Sequence, residues 1–253
     1  MHGPDGVDYP NITTYLEVEE YKRLVYDHGA IEERRHLFRV IGFSMRIQNL
    51  DTACFKVLNA TLPNGTFAYT GKIHFQRVLD TWSLDWEISA GQYVGLGILR
   101  GSHLYVSCGL QRAGLGILLM EKDQILWSNP EMAGVLGTGE VLSRSSEGNL
   151  ITAQIKLLLP NQKDYADWTL ELKRNGATHI AQFSYMGVGA FQGLALPIAD
   201  GFVIGWYSDL SQLALLDYFA DNQNQDRLLA NWALGSFSTL GTEVLELNSE
   251  PVP

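Results

Sequence analysis

The chain has 253 residues, a formal net charge of −10 and a pI near 5.0. An acidic chain gains neither counterion release from nucleic acid nor Coulomb attraction from an anionic membrane, so we expect neither as a partner. The N-terminus lacks the basic and apolar regions of a signal peptide, and no apolar run is long enough for a membrane span. Together with two scattered cysteines, Cys54 and Cys108, this predicts a reducing, cytoplasmic location.

The N-terminal segment, residues 1–52, mixes many acidic and basic side chains, and short strands are predicted near 12–18 and 23–29. Its runs HGPDGVDYPN, RLVYDHG and LFRV resemble the middle strands of Hsp90-ATPase-activator-like START/helix-grip (SRPBCC) proteins. The resemblance covers residues 1–40 and implies a fragment of that fold, because the helices of the family have no counterpart here. We expect the segment to pack on the rest of the chain, adding strands at an edge, since it is too short to fold alone.

An internal repeat organises the remainder of the chain. Leu62-Pro63-Asn64 recurs 97 residues later, Gly95-Leu96 recurs 98 residues later, and Glu140-Val141-Leu142 recurs 103 residues later as Glu243-Val244-Leu245. Small drifts in the offset are what a few loop insertions produce. The repeat predicts two related β units, at 53–150 and 151–248, followed by a tail at 249–253.

Period-two patterning predicts that both units are made of strands. Trp82, Leu84 and Trp86 alternate with polar residues, as on a half-buried strand. The segment 209–220 also has helix-like capping and spacing, but its alignment with the strand-like residues 114–121 favours a strand. Further strands are predicted at 93–99, 103–108, 114–121, 138–144, 191–196, 201–207, 212–219 and 241–247. We therefore expect an antiparallel all-β fold, in which two tandem pseudo-repeats form one barrel or a pair of packed barrel or sandwich units.

A distinctive pattern marks the second half of each unit: a strand with paired glycines, a short apolar strand and a closing run. In the first unit it reads WEISAGQYVGLGILRGSHLYVSCG followed by GTGEVL. It is similar to bacterial β repeats labelled fibronectin-binding and to calycin-type barrels. That resemblance implies a small barrel and says nothing about activity.

Neither a cofactor nor a metal is predicted. Gly95-x-Gly97-x-x-x-Gly101 departs from the dinucleotide fingerprint and precedes a strand, so these glycines are interpreted as bulges or points of tight curvature where a barrel closes. The histidines are dispersed without metal-ligand spacing. Of them, His74 and His103 lie on predicted strands and are expected to be solvated or singly hydrogen-bonded.

Carboxylates near strand ends are candidates for an acid/base pair, but they are interpreted as polar outer faces of strands. They are Asp85, Glu87, Glu121, Glu140 and Glu243.

Aromatic side chains are the basis of the functional hypothesis, because tryptophan suits a core, an interface or a ligand pocket. The candidate ligand-binding residues are Trp82, Trp86, His103, Phe183 and Trp206.

Three functions remain open at this point. The first is a non-catalytic barrel protein that binds a small hydrophobic ligand in an apolar cavity or in a groove between the repeats. The second is a structural or protein-interaction module that acts as a homo-oligomer. The third is a small-barrel isomerase or cyclase, which would need a buried titratable group.

Overall fold

A computed structural model describes residues 52–161, 163–185, 191–224, 226–235 and 237–248, and the backbone alone of 13–19, 23–28 and 188–190. Strands β1 (Thr13–Glu19) and β2 (Arg23–His28) confirm the two strands predicted in the N-terminal segment. They pair with each other in a two-stranded sheet. That the segment packs on the repeats and adds strands at an edge stays a prediction. The rest of residues 1–51 lies outside the described residues.

The prediction of an antiparallel all-β fold with two barrel units is confirmed. The chain closes into two eight-stranded antiparallel barrels, and a closed barrel leaves no free strand edge. One barrel, here called the split barrel, comprises β3 (Thr52–Thr61), β4 (Gly71–Val78), β5 (Thr81–Ile88), β6 (Gly91–Arg100), β7 (His103–Gly109), β16 (Ala214–Ala220), β17 (Arg227–Leu234) and β18 (Gly241–Leu247). The other, here called the inserted barrel, comprises β8 (Gly114–Leu119), β9 (Gln124–Ser128), β10 (Gly137–Glu147), β11 (Leu150–Leu158), β12 (Asp164–Asn175), β13 (Thr178–Tyr185), β14 (Val188–Ile198) and β15 (Gly201–Tyr207).

The two repeats exchange their last three strands. Strands β3–β7 of the first repeat close with β16–β18 of the second, whereas β11–β15 of the second repeat close with β8–β10 of the first. The predicted units 53–150 and 151–248 therefore correspond to strands β3–β10 and β11–β18, but neither unit forms a barrel by itself. Each barrel contains strands from both repeats. Strand β16 also confirms the choice of strand over helix near 209–220.

Equivalent residues occupy equivalent places in the two barrels. The indole Nε1 of Trp127 donates to the Thr138 carbonyl at 2.8 Å in the inserted barrel, and that of Trp232 donates to the Thr242 carbonyl at 3.2 Å in the split barrel. The tryptophans pair across strands with Gly137 and Gly241, respectively, where no Cβ would fit beside the indole ring. The repeat found in the sequence is thus a repeat of structure.

One sequence anchor is shifted by a residue. Gly139 pairs with Leu157 and Ile125, and Glu243 pairs with Ala60 and Ala230, so Glu243 occupies the position of Gly139 and not that of Glu140. Gly137-Thr138 and Gly241-Thr242 are equivalent, and the extra Gly139 before Glu140 displaces the two Glu-Val-Leu runs by one position. The register irregularities, on β10 in the inserted barrel and on β3 in the split barrel, lie beyond the glutamates. A shift of one residue turns a side chain to the other face of the sheet, so Glu140 is exposed while Glu243 is buried.

The glycines of β6 make room for large interior side chains. A Cβ at Gly95 would lie 2.7 Å from the Trp86 ring, and a Cβ at Gly97 would lie 3.1 Å from the Cβ of Trp82. No helix follows, since β7 is the next element. Gly95 and Gly97 therefore provide close packing beside the tryptophans, and the pairings of β6 contain no bulge. Gly101 lies in the turn before β7, where its φ is positive.

A buried apolar layer joins the outer faces of the two barrels. It includes Leu96, Ile98 and Tyr105 of the split barrel, against Leu115, Ile117 and Val203 of the inserted barrel. At the border of this layer, the Arg100 guanidinium forms a bidentate ion pair with the Asp200 carboxylate. The exchange of strands and this shared layer hold the barrels side by side.

Candidate functional site

The open end of the split barrel contains an apolar cavity of about 220 Å³. Four aromatic rings contribute to its wall, those of Tyr69, Trp86, Tyr93 and Trp232. The remaining lining comes from aliphatic or small side chains and one amide: Leu62, Ala68, Ile88, Ala90, Cys108, Gly109, Gln212, Ala214, Leu216 and Leu234. A cavity of roughly 150 Å³ already holds benzene, so this one can hold a ligand of about nine non-hydrogen atoms.

A carboxyl group lies behind this cavity. The Glu243 side chain is 1% exposed and accepts two hydrogen bonds, from the Tyr69 hydroxyl at 3.0 Å and from the Tyr218 hydroxyl at 2.6 Å. Strand β18 turns Glu243 inward, on the same face as Leu245, while Tyr218 reaches it from β16. Tyr69 both lines the cavity and touches the carboxyl, so its hydroxyl connects the two.

The electrostatics of this group are dominated by burial. Loss of water raises the pKa of the Glu243 carboxyl to about 7, although the hydrogen bonds from Tyr218 and Tyr69 act in the opposite direction. None of the described lysine, arginine or histidine side chains acts on it. Burial, and then the nearby Glu243 charge, raises the pKa of Tyr69, Tyr218 and Cys108, which keeps all three groups neutral. Glu243 is therefore a buried carboxyl whose pKa lies near neutral pH, with no cationic partner among the described residues.

The corresponding end of the inserted barrel is filled by aromatic rings. Its pocket measures only about 90 Å³. The rings of Phe183 and Phe191 stack with centroids 4.6 Å apart, and those of Trp127 and Tyr165 lie 4.9 Å apart. A pocket of this size is smaller than one that holds benzene. The aromatic side chains thus serve mainly as packing.

No carboxyl group is buried at the equivalent place in the inserted barrel. Gly139 occupies the position of Glu243, and Leu118 occupies that of Tyr218, as their cross-strand partners show. A Cβ at Gly139 would lie 2.6 Å from the Lys156 carbonyl oxygen, so no larger side chain fits there without rearrangement. The two barrels therefore differ in chemistry at one matched site.

A wider depression of about 510 Å³ lies at the rim of the inserted barrel. It is open to solvent and carries both apolar side chains, such as Trp206 and Phe191, and charged ones, such as Arg112 and Glu131. Because it is open to solvent, a small ligand would stay largely hydrated there. The split-barrel cavity is the better candidate site.

The structure distributes the five candidate ligand-binding residues over four places. Trp86 lines the split-barrel cavity, while Trp82 lies in the core of the same barrel and lines none of the three cavities described here. Phe183 and Trp206 meet at the aromatic pocket of the inserted barrel. His103 lies away from both cavities, so the five residues do not form one site.

His103 makes a single polar contact outside the barrel interior. Its Nδ1 lies 2.7 Å from an Asp217 carboxylate oxygen on the neighbouring strand, and this hydrogen bond raises the pKa of the imidazole. His74 likewise faces outward, with its Nε2 4.0 Å from a Glu87 carboxylate oxygen. Both agree with the expectation of solvated or singly hydrogen-bonded histidines.

The interpretation of Glu243 as an outer-face carboxylate is wrong. The matching Glu-Val-Leu runs suggested that Glu140 and Glu243 are equivalent, and Glu140 is indeed exposed. A signal was present in the alternation of Glu243, Leu245 and Leu247, which places the carboxyl on the apolar face. Nothing in the sequence pointed to Tyr69 and Tyr218 as its partners, because they are far away along the chain.

Among the residues that the structure describes, no cluster of three or more side chains could hold a metal ion. In the same part of the chain, no helix is long and apolar enough to cross a membrane. Comparisons with family models, curated proteins and solved structures found no match to this chain. Both family resemblances noted in the sequence therefore stay predictions.

Proposed function

We propose that this β-barrel protein binds a small hydrophobic ligand in the cavity of the split barrel. The carrying observation is the apolar cavity of about 220 Å³ at the open end of that barrel. Enclosed apolar cavities with a few polar groups are where proteins bind small molecules, and barrel mouths commonly provide them. Lining residues that bear polar groups include Tyr69, Tyr93, Cys108 and Gln212.

A cavity-filling variant tests this proposal. Ala214 lines the cavity, so Ala214→Phe should occupy part of its volume. We expect isothermal titration of 2-phenylethanol, a neutral probe of suitable size, to give saturable binding that weakens at least tenfold in Ala214→Phe. Ala177 lies exposed on the turn between β12 and β13, and Ala177→Phe serves as the matched control. Absence of saturable binding, or equal loss in both variants, would contradict the proposal.

One observation favours a second function, the small-barrel isomerase or cyclase. Such an enzyme needs a buried titratable group, and Glu243 is one. Against it, a general base must reach the proton that it removes, and the Tyr69 hydroxyl lies between Glu243 and the cavity. Hydrogen–deuterium exchange at the α-carbon of phenylacetone, faster than in buffer and lost in Glu243→Gln, would support the enzyme instead.

A further inference from the structure

We propose that the ligand of the split barrel is a protonated organic amine, whose charge is balanced by Glu243. This inference rests on the proposed binding function and specifies the chemistry of the ligand. Two independent observations carry it: an unpaired buried carboxyl behind the cavity, and a set of four aromatic rings around the cavity.

The first observation concerns the charge balance of the barrel interior. An ionised carboxylate in an apolar interior is costly unless a cation accompanies it. The titratable groups that face Glu243 are Tyr218 of β16, Tyr69 before β4 and Cys108 of β7, and none of them is a cation. Its cross-strand neighbours, Ala60 and Ala230, add no charge. The described residues supply hydrogen bonds for the charged carboxylate, but none of them supplies the countercharge.

The second observation concerns the wall of the cavity. The rings of Trp86, Trp232, Tyr69 and Tyr93 line it, and the centroids of Tyr69 and Trp232 are 6.4 Å apart. Aromatic faces attract cations through their quadrupole, and several rings around one cavity are the usual way of holding an alkylated ammonium. The same rings also supply apolar area for the body of the ligand.

The Tyr69 hydroxyl joins the two observations. It donates to Glu243 at 3.0 Å, and its oxygen can also accept a hydrogen bond from the cavity side. An ammonium that donates to this oxygen would lie about 5 Å from the carboxylate, within the range over which opposite charges interact strongly. The ligand would thereby complete a chain from ammonium to tyrosine to carboxylate.

The test compares three probes that differ in charge but hardly in shape: 2-phenylethylamine, 2-phenylethanol and phenylacetate. At pH 8.5 we expect the full-length protein to bind the amine at least tenfold more tightly than the alcohol, and phenylacetate most weakly. If only the ionised site binds, the amine affinity should fall roughly thirtyfold between pH 8.5 and 5.5, because the ionised fraction of Glu243 falls by that factor. The alcohol affinity should hardly change over the same range.

Two variants keep the test decisive. Glu243→Gln retains an acceptor for the tyrosine hydroxyls, and it should remove both the preference for the amine and its pH dependence. Tyr218→Phe removes a hydrogen bond that lowers the pKa of Glu243, so the pH midpoint of amine binding should rise. Binding of the alcohol as tightly as the amine, or an unchanged amine affinity in Glu243→Gln, would overturn the inference and leave the proposed function intact. Failure of all three probes to bind would instead overturn the proposed function.

Discussion

The split barrel and the inserted barrel close with equivalent strands, but they fill their interiors differently. At one matched position the split barrel buries Glu243, with Tyr218 donating to it, and the inserted barrel has Gly139 and Leu118. Because the inserted barrel closes without the carboxyl, this group is not required by the fold. A side chain that costs stability and is not needed for folding points to a functional role.

The open ends of the barrels also differ in the volume of their cavities. Aromatic rings leave only about 90 Å³ in the inserted barrel, whereas about 220 Å³ remains in the split barrel. A repeated unit thus provides an internal control, in which one copy shows what packing alone requires. The difference between the copies then indicates which side chains serve a ligand.

The largest expected effect concerns the aromatic side chains that both barrels use as packing. Trp86 is 3% exposed and packs against the position of Gly95, so Trp86→Ala should cost about 3–5 kcal/mol of stability and lower the melting temperature strongly. Phe183→Ala, at the equivalent place in the inserted barrel, should cost a similar amount. Phe67→Ala is the control, since that side chain is mostly exposed. An unchanged melting temperature in Trp86→Ala would show that the ring is not part of the core.

The next effect is the pH dependence of the free energy of unfolding, which we expect to depend on Glu243 of the split barrel. The pKa of Glu243 is raised from an ordinary value of 4.5 to about 7, so the native state holds a proton that the unfolded chain releases between these values. The stabilisation present below pH 4.5 is therefore lost as the pH rises to about 7, a change of about 3 kcal/mol. The free energy of unfolding, measured with denaturant, should fall by this amount in the natural protein between pH 4.5 and 8. In Glu243→Gln this fall should be absent.

Glu140→Gln provides the matched control for that measurement. Glu140 occupies the neighbouring position in the inserted barrel and is exposed, so its replacement should leave the pH dependence of unfolding unchanged. Parallel stability curves for Glu243→Gln and the natural protein would mean that the buried carboxyl is not perturbed.

The smallest expected effect concerns the exchange of strands between the repeats. A protease site inserted after Gly148, in the exposed turn between β10 and β11, would separate the two repeats covalently. Since each barrel contains strands of both repeats, the cleaved halves should stay together at the full mass on gel filtration and melt only slightly lower than the uncut protein. Two folded halves that elute apart would mean that each repeat closes its own barrel.

Much of the fold could be predicted from the sequence. The alternation of Trp82, Leu84 and Trp86 identified a strand with a buried apolar face, although Thr81 and Ser83 on its other face are buried as well. The recurring Leu-Pro-Asn motif identified the repeat. The exchange of strands could not be predicted, because β8 and β16 carry similar apolar runs, and a local pattern does not specify which of the two pairs with β7.

The candidate site was harder to predict for a related reason. Trp86 was identified from its pattern, whereas Glu243 was assigned to the wrong face because its Glu-Val-Leu run was aligned with that of Glu140 without allowing for the extra Gly139 of the first repeat. An alignment error of one residue exchanges the two faces of a strand. The meeting of Tyr69, Tyr218 and Glu243 depends on barrel closure, which no local pattern encodes.

The most direct test of the account is a crystal structure of the protein with 2-phenylethylamine at pH 8.5. We expect one bound molecule in the split-barrel cavity, with its ammonium beside the Tyr69 hydroxyl and its ring among Trp86, Tyr93 and Trp232. We expect no bound molecule in the inserted barrel. Binding in the aromatic pocket of the inserted barrel, or an empty split-barrel cavity at saturating concentration of the amine, would contradict it.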